Sequence, residues 1–325
     1  MKPTCSLIEY CFAPELPCHM GCDDYAKCQY WKAREGADGS SPDAAAESDS
    51  QMHGHQPFWT GRVMGLVDAL PVAARNPTML VGIIGAHDAG KTSFLLGLYC
   101  LIASGKTLGG FRFAGSYSLL AWEQLASYAR YSASHPASFP PHTPDSTDRV
   151  PGLFHLALRG PTGHLHDILF ADAPGEWFTH WSVKADDPRA AGARWVADHA
   201  DGFLLFADSF SLSGADRGTA AGNLIQLMQR VSGVLGPRPL GFLWAKSDVT
   251  IKDEIRSRVD SVRRRLHSRS FVRSVSVRDP AKHSVILDSV EHLVKLMLAG
   301  NAHSQIPAPS PGFPNDGFLS LRGSS

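Results

Sequence analysis

The sequence predicts an α/β fold in which helices cover both faces of a mostly parallel β-sheet, and three observations support this prediction. Short apolar runs typical of buried strands recur from residue 79 onward. Helical stretches separate most of these runs, and such alternation is typical of a three-layer α/β domain. One pair of runs is joined by residues 161–164 alone, which allows an antiparallel hairpin and is too short for a parallel crossover. The sheet is therefore expected to contain one antiparallel strand.

The apolar runs and their spacing place the individual elements. Strands are predicted at residues 79–84, 153–158, 165–170, 202–207, 240–245 and 271–277. The last predicted helix covers residues 282–299, and its apolar face consists of Ile286, Val290, Leu293 and Met297. A short amphipathic helix that ends before Pro71 is predicted from Trp59, Val63, Leu66, Val67 and Leu70.

Composition divides the chain of 325 residues into four parts. A cysteine-rich module is predicted at residues 1–32, a disordered linker at 33–56, the α/β domain at 57–300 and a disordered tail at 301–325. The linker is predicted because Ala, Ser, Asp and Gly replace nearly all large apolar side chains there. The tail carries several Pro, Gly and Ser residues, which disfavour a packed core.

Charge and hydropathy exclude several classes of protein. Lys and Arg number 31, and Asp and Glu also number 31, which argues against a general nucleic-acid binder or a polybasic membrane protein. No apolar run approaches the roughly 20 residues that span a bilayer. The N-terminus also lacks the apolar core and cleavage site of a signal peptide. A cytoplasmic protein without a membrane partner is expected.

The N-terminal module carries five of the six cysteines, namely Cys5, Cys11, Cys18, Cys22 and Cys28. A segment this short buries too little apolar surface to fold alone, and tetrahedral thiolate ligation of Zn²⁺ supplies the missing free energy. Four of the five are therefore predicted to bind Zn²⁺, with His19 as a substitute ligand. An iron–sulfur cluster or free thiols are the alternatives. Cys100 lies in an apolar run and is expected to be a small buried hydrophobic residue.

A phosphate-binding loop is the strongest motif in the sequence. Residues 85–92 read GAHDAGKT, a full GxxxxGK[ST] match between a predicted strand and a helical apolar run. Glycines let the backbone approach phosphates closely, so that N–H groups and the helix N-terminus face the negative charge. Lys91 is expected to reach the β- and γ-phosphates, and the Thr92 hydroxyl to ligate Mg²⁺. The predicted nucleotide contacts of this loop are Gly85, His87, Asp88, Ala89, Gly90, Lys91, Thr92 and Ser93.

A second motif, DAPGE at residues 172–176, follows the apolar run 165–170. A strand that ends in Asp supplies the carboxylate that holds Mg²⁺ in phosphate-loop sites, so Asp172 is a predicted metal ligand. Gly175 is expected to offer its backbone N–H to the γ-phosphate. The antiparallel hairpin that precedes this motif distinguishes switch-type GTPases from most phosphate-loop ATPases.

A third motif, AKSD at residues 245–248, indicates which base is bound. A carboxylate at Asp248 can accept the N1–H and the 2-amino group of guanine, whereas adenine would leave it unpaired. The stem of Lys246 is expected to cover the plane of the base. Ala245 replaces a polar side chain that normally ties this loop to the phosphate loop. The affinity for the nucleotide is therefore expected to be low. Ser276 lies where a last nucleotide loop is expected, as a nucleotide contact or as an ordinary turn residue.

These three motifs, in this order and spacing, resemble those of Ras-like GTPases of the translation-factor (TRAFAC) class over about residues 78–299. The cysteine-rich leader, DAPGE and an enlarged middle are similar to the bacterial double-GTPase group, whose members are predicted to act in conflict (defence) systems. The resemblance implies a three-layer P-loop NTPase fold and a molecular switch. In such a switch Mg²⁺ and GTP order two loops, hydrolysis releases them, and an effector or regulatory protein reads the difference.

The resemblance also implies site residues. A first switch should offer a Thr hydroxyl to Mg²⁺, and Thr143 and Thr147 both fit. Glu176 stands where many relatives carry a Gln that orients the attacking water. A carboxylate could still orient water or accept its proton, but phosphate oxygens would repel it. Lys91, Gly175 and Glu176 are therefore the predicted catalytic residues, and hydrolysis is expected to be slow or to depend on a partner.

Several alternatives remain open at this point. The chain could be a nucleotide-binding scaffold that barely hydrolyses, or an ATPase whose AKSD sequence is fortuitous. His87 and Asp88 could perturb the γ-phosphate or point into solvent. A helix with Leu119, Trp122, Leu125 and Ala129 on one face could be an effector platform or could pack on the core. The basic stretch 256–278 could be a solvated helix face or could bind nucleic acid or another anionic partner.

Overall fold

The computed structural model describes residues 63–76, 78–130, 138–140 and 151–301. The five N-terminal cysteines, His19, the predicted linker and all but the first residue of the predicted tail lie outside these residues. Thr143 and Thr147 also lie outside them, so the zinc site and the first-switch ligand stay predictions. Among the described helices, none is both long and apolar enough to cross a membrane.

In the described part of the chain, seven strands form one sheet in the order β2-β3-β4-β1-β5-β6-β7. They are β1 (Thr78–Gly85), β2 (Arg112–Gly115), β3 (Gly152–Arg159), β4 (Leu165–Asp172), β5 (Gly202–Asp208), β6 (Leu240–Ala245) and β7 (Phe271–Ser274). β3 runs antiparallel to β2 and to β4, and the other neighbouring strands are parallel. The mostly parallel sheet with one antiparallel strand is confirmed.

Helices cover both faces of this sheet. They are α1 (Leu66–Arg75), α2 (Lys91–Ala103), α3 (Leu119–Ser127), α4 (Gly175–Val183), α5 (Ala191–His199), α6 (Ser209–Ser213), α7 (Arg217–Leu235), α8 (Asp253–Leu266) and α9 (His283–Asn301). α2, α3 and α9 contribute to one apolar core, which includes Phe94 and Ile286. α4, α5, α7 and α8 contribute to the other, which includes Trp177 and Met228. The three-layer α/β prediction is therefore confirmed.

The helix α4, which begins at the second motif, is anchored by aromatic side chains. Trp177, Phe178 and Trp181 are each 2% exposed or less, and they belong to the same core as residues of α7. Burying one such aromatic side chain stabilises a fold by roughly 1.5–3 kcal/mol. The start of α4 is therefore held at a defined place beside the sheet.

The first helix differs from its prediction. α1 begins at Leu66 and continues through Pro71 to Arg75, so the expected end before Pro71 is wrong. Just ahead of the helix, Met64 forms an antiparallel β-bridge with Leu153, and Gly65 is extended. A proline inside a helix removes one backbone donor, and burial of Val72 in the core offsets that loss.

Strand β2 was not predicted. β2 is an edge strand whose residues are largely exposed, so its sequence lacks the apolar run that marks the buried strands.

The structure decides between the two alternatives for α3, an effector platform or packing on the core. Trp122 of α3 is fully buried, with its ring centroid 4.7 Å from that of Phe154 and 5.4 Å from that of Tyr99. The apolar face of α3 therefore packs on the core. Ala129, expected on the same face, lies beyond the helix and is exposed.

A buried polar network joins α1 to the sheet. The Asp167 carboxylate accepts hydrogen bonds from Arg75 Nη2 at 2.6 Å and from Asn76 Nδ2 at 3.1 Å. His155 Nδ1 accepts the backbone N–H of Tyr117 at 2.9 Å, so its Nε2–H donates to Asp167 Oδ1 at 3.0 Å. Burial raises the pKa of Asp167, but the hydrogen bonds from His155, Arg75 and Asn76 outweigh it and hold the pKa at about 2.

Replacing Asp167 with asparagine is expected to lower the free energy of unfolding by about 3 kcal/mol, because the donors of His155, Arg75 and Asn76 lose the buried carboxylate that accepts their hydrogen bonds. The depressed carboxyl pKa stabilises the wild type above the unfolded value of 3.8, and this stability is lost as the pH falls towards 2. The pH-dependent part amounts to about 2 kcal/mol. Denaturant unfolding between pH 2 and 7 measures both effects. Asp186→Asn, at an exposed carboxyl, is the control and should change neither.

Candidate functional site

The sheet topology brings the three motifs to one edge. β1 lies between β4 and β5, and β6 follows β5, all four parallel. The carboxyl ends of parallel strands meet at the same edge, where α/β folds bind their ligands. A cavity of about 360 Å³ opens there. Its walls include His87, Lys91, Thr92, Phe139, Gly175, Glu176, Phe210, Lys246, Asp248, Ser276 and Arg278.

The phosphate loop connects β1 directly to α2. Gly90 has a φ of +85° at the helix N-cap, and Asp88 has a φ of +57°. Left-handed conformations at non-glycine residues are costly and occur preferentially at functional sites. The first turn of α2 closes with Phe94 N–H donating to Gly90 O at 2.9 Å. The loop therefore has the wrapped backbone that a bound polyphosphate requires.

Lys91 points into this loop rather than into solvent. Its Nζ donates to Gly85 O at 3.1 Å and to Ala86 O at 2.9 Å. Burial lowers the pKa of Lys91 to about 8, although the carboxylates of Asp172, Glu176 and Asp88 act in the opposite direction. A buried ammonium group of this kind gains stability when an anion binds beside it.

Two of the predicted magnesium ligands, Thr92 and Asp172, lie together. Thr92 Oγ1 donates to Asp172 Oδ2 at 3.0 Å across the ends of α2 and β4, and Asp172 is buried. A hydroxyl oxygen and a carboxylate oxygen are hard ligands of the type Mg²⁺ prefers, and Mg²⁺ commonly uses only one or two protein ligands besides water and phosphate. The donor set therefore fits Mg²⁺.

The second motif packs tightly on the phosphate loop. A Cβ added at Gly175 would lie 2.2 Å from His87 N and 2.4 Å from Ala86 C, so only glycine allows this approach. Next to it, Glu176 Oε1 lies 2.7 Å from His87 Nδ1. The His87 ring thus faces Glu176 while its side chain stays 40% exposed to solvent. Asp88 is the more exposed of the two loop residues, and its Oδ2 lies 3.5 Å from His87 Nε2.

At the other end of the cavity, the third motif meets the last loop. Ser276 Oγ donates to Asp248 Oδ1 at 2.6 Å and accepts the backbone N–H of Arg278 at 3.2 Å. Lys246 has a φ of +52°, which turns the chain sharply after β6. The structure thus places Ser276, Lys246 and Asp248 around one end of the cavity.

Two functional candidates were missed in the sequence, Asp208 and Phe210. The buried Asp208 carboxylate accepts Phe210 N–H at 3.0 Å and Ser211 Oγ–H at 2.6 Å. It also binds Lys246 Nζ at 3.1 Å, which holds that side chain along the cavity wall. Phe210 is 64% exposed and its ring centroid lies 5.6 Å from Lys246 Nζ. No spacing signal connects these residues to the third motif, since Asp208 and Lys246 are separated by 38 positions.

A second pair of a cation and an aromatic ring lines the cavity. The Arg278 guanidinium lies 5.1 Å from the centroid of the Phe139 ring, and both residues line the cavity. Such contacts are worth about 0.5–1 kcal/mol at exposed sites. Two aromatic rings, Phe139 and Phe210, therefore line the cavity, and a planar group could stack on either of them.

Comparison with known families identifies the domain described above. The family model described as Double-GTPase 2 matches residues 79–298, which include the phosphate loop, Asp172, Glu176, Asp248 and Ser276. No curated protein matches the chain. The matched segment covers most of the strands and helices described above.

Proposed function

Because the chain belongs to the Double-GTPase 2 family, we propose that it is a Mg²⁺-dependent molecular switch that binds and hydrolyses GTP. The observation that carries this proposal is the meeting of the three motifs in one cavity, with Lys91 and the Thr92–Asp172 pair at one end and Asp248 at the other. The family supports a guanine nucleotide, and the site residues supply a reason for it.

The base end favours guanine. With Ser276 Oγ–H donating to one oxygen, the Asp248 carboxylate is held in a fixed orientation while its acceptor capacity is not exhausted. Guanine offers two adjacent N–H donors to such a carboxylate, whereas adenine offers an acceptor in the same place, which leaves a polar group unpaired. Asp208 holds Lys246 at 3.1 Å, which ties the third motif to the end of β5.

At the phosphate end, Lys91 and the backbone N–H groups of residues 86–92 bind the negative charge. Thr92 and Asp172 would hold Mg²⁺, which neutralises charge on the β- and γ-phosphates during phosphoryl transfer. Gly175 lines the same cavity, where its N–H would donate to the γ-phosphate. Glu176 orients water less readily than a glutamine, because its charge is repelled by phosphate oxygens. Slow intrinsic hydrolysis, accelerated by a regulatory protein, is the behaviour we propose.

A nucleotide-binding scaffold with little hydrolysis is the second candidate, and Glu176 and Ala245 favour it. Multiple-turnover kinetics distinguish the scaffold from the switch. The resemblance to the bacterial double-GTPase group supports a role in a signalling or defence system, with an effector protein that reads the nucleotide state.

The decisive experiment is a competition between GTP and ATP for the purified full chain, after identification of any nucleotide released by denaturation. GTP should bind at least about a hundredfold more tightly, because an unpaired buried group in the adenine complex costs several kcal/mol. Asp248→Asn should transfer that preference to xanthosine triphosphate, which presents an acceptor where guanine has its 2-amino group. Asp253→Asn, in the first turn of α8, is the control. Equal affinity for ATP together with an unchanged Asp248→Asn would rule out guanine recognition.

A further inference from the structure

The contact between His87 and Glu176 joins two separate parts of the site. His87 belongs to the phosphate loop, and Glu176 to the first turn of α4. Their side chains meet at 2.7 Å, directly above the close approach of Gly175 to the backbone of Ala86 and His87. Both side chains are about half exposed, at 40% and 45%, and both line the cavity. The pair therefore lies at the rim of the phosphate end.

The charges around this rim are unfavourable for a polyphosphate unless they are compensated. Glu176 contributes one carboxylate and Asp88 contributes another, and the His87 ring lies between them, with Nδ1 towards Glu176 and Nε2 3.5 Å from Asp88 Oδ2. Lys91 is the cation that lies within the phosphate loop, and Lys246 is held by Asp208 in the third motif. A Glu176 carboxylate that turned freely would repel the terminal phosphate.

We propose that His87 is a positioning residue for Glu176. The ring donates Nδ1–H to the carboxylate, keeps it directed along the rim and offsets its charge, so that the cavity accepts a third phosphate group. This inference rests on the proposed GTP site and adds to it a reason why a glutamate is tolerated after Gly175. The contact should affect the binding of GTP more than that of GDP, because the carboxylate it orients would lie near the γ-phosphate, which GDP lacks.

Equilibrium binding of GDP and of a non-hydrolysable GTP analogue to the full chain tests this inference. His87→Ala should lower the affinity for the GTP analogue about fivefold, the range of a partly exposed charge interaction. The affinity for GDP is the reference and should stay within about twofold of the wild-type value. Glu176→Gln in the His87→Ala background should restore the wild-type ratio of the two affinities, because glutamine at position 176 has no charge to repel the terminal phosphate. His87→Asn, which can place an N–H near Nδ1, should recover part of the loss.

His180→Ala, at a histidine of the same helix that does not line the cavity, should leave the ratio of the two affinities unchanged. Equal weakening of GDP and the analogue in His87→Ala would overturn the inference, as would failure of Glu176→Gln to restore the ratio. If the wild type binds neither nucleotide, the proposed function itself fails. The two failures are therefore distinguishable.

Discussion

Replacing Lys91 with methionine is expected to abolish nucleotide binding while leaving the ligand-free protein at least as stable as the wild type. Nζ is the buried cation of the phosphate loop, and truncating one partner of a buried charge pair costs about 2–5 kcal/mol, so affinity should fall about thirtyfold to several thousandfold. In the ligand-free protein, burial already opposes the charged form and lowers the pKa of Lys91 to about 8. Methionine fills a similar volume without that penalty.

Two measurements check this expectation on the same preparation. Titration with a fluorescent GDP or GTP derivative reports affinity, and denaturant unfolding without nucleotide reports stability. Lys184→Met removes an exposed lysine and should change neither. If Lys91→Met keeps wild-type affinity, the ammonium group does not contact the phosphates and the assignment of this loop is wrong.

Replacing Gly175 with alanine is expected to separate α4 from the phosphate loop. The new Cβ would lie 2.2 Å from His87 N and 2.4 Å from Ala86 C, and these are backbone atoms that cannot turn aside. Either the loop or the start of α4 must move, at a cost of about 1–3 kcal/mol for such overpacking. Because the Gly175 N–H and the Glu176 carboxylate move with it, single-turnover hydrolysis of GTP should fall about a hundredfold.

GDP affinity should change much less in Gly175→Ala than hydrolysis does, because GDP lacks the γ-phosphate to which the Gly175 N–H is proposed to donate. Gly222→Ala is a matched control: Gly222 lies in α7, where an added Cβ meets nothing within 4 Å, and alanine favours a helix. This control should hydrolyse GTP normally and should not be less stable. Wild-type hydrolysis in Gly175→Ala would show that the close approach has no part in the reaction.

The parts of the fold that follow local rules could be predicted from the sequence. Buried strands such as β1 and β5 are continuous apolar runs because both of their faces are covered. The hairpin between β3 and β4 is set by a connection of four residues or so, and the helix α9 shows its buried face in the spacing of Ile286 and Val290. The phosphate loop is recognisable because its glycines and Lys91 are close in sequence.

What could not be predicted depends on contacts between distant segments. The pairing of Asp208 with Lys246 and of His87 with Glu176 arises only after the sheet brings four strand ends together, and neither pair has a characteristic spacing. β2 was missed because an exposed edge strand has no apolar pattern. The end of α1 could not be predicted because proline usually ends a helix, whereas packing on the core stabilises this helix beyond Pro71.

The burial of Trp177 and Trp181 in α4 has a practical consequence. Both indole rings are nearly inaccessible to solvent, and Trp177 follows Glu176 directly. A rearrangement of this helix would expose the rings or alter their neighbours, and indole emission responds to both. The protein therefore contains its own optical reporter, by which stopped-flow mixing could detect a rearrangement of α4 without an attached dye.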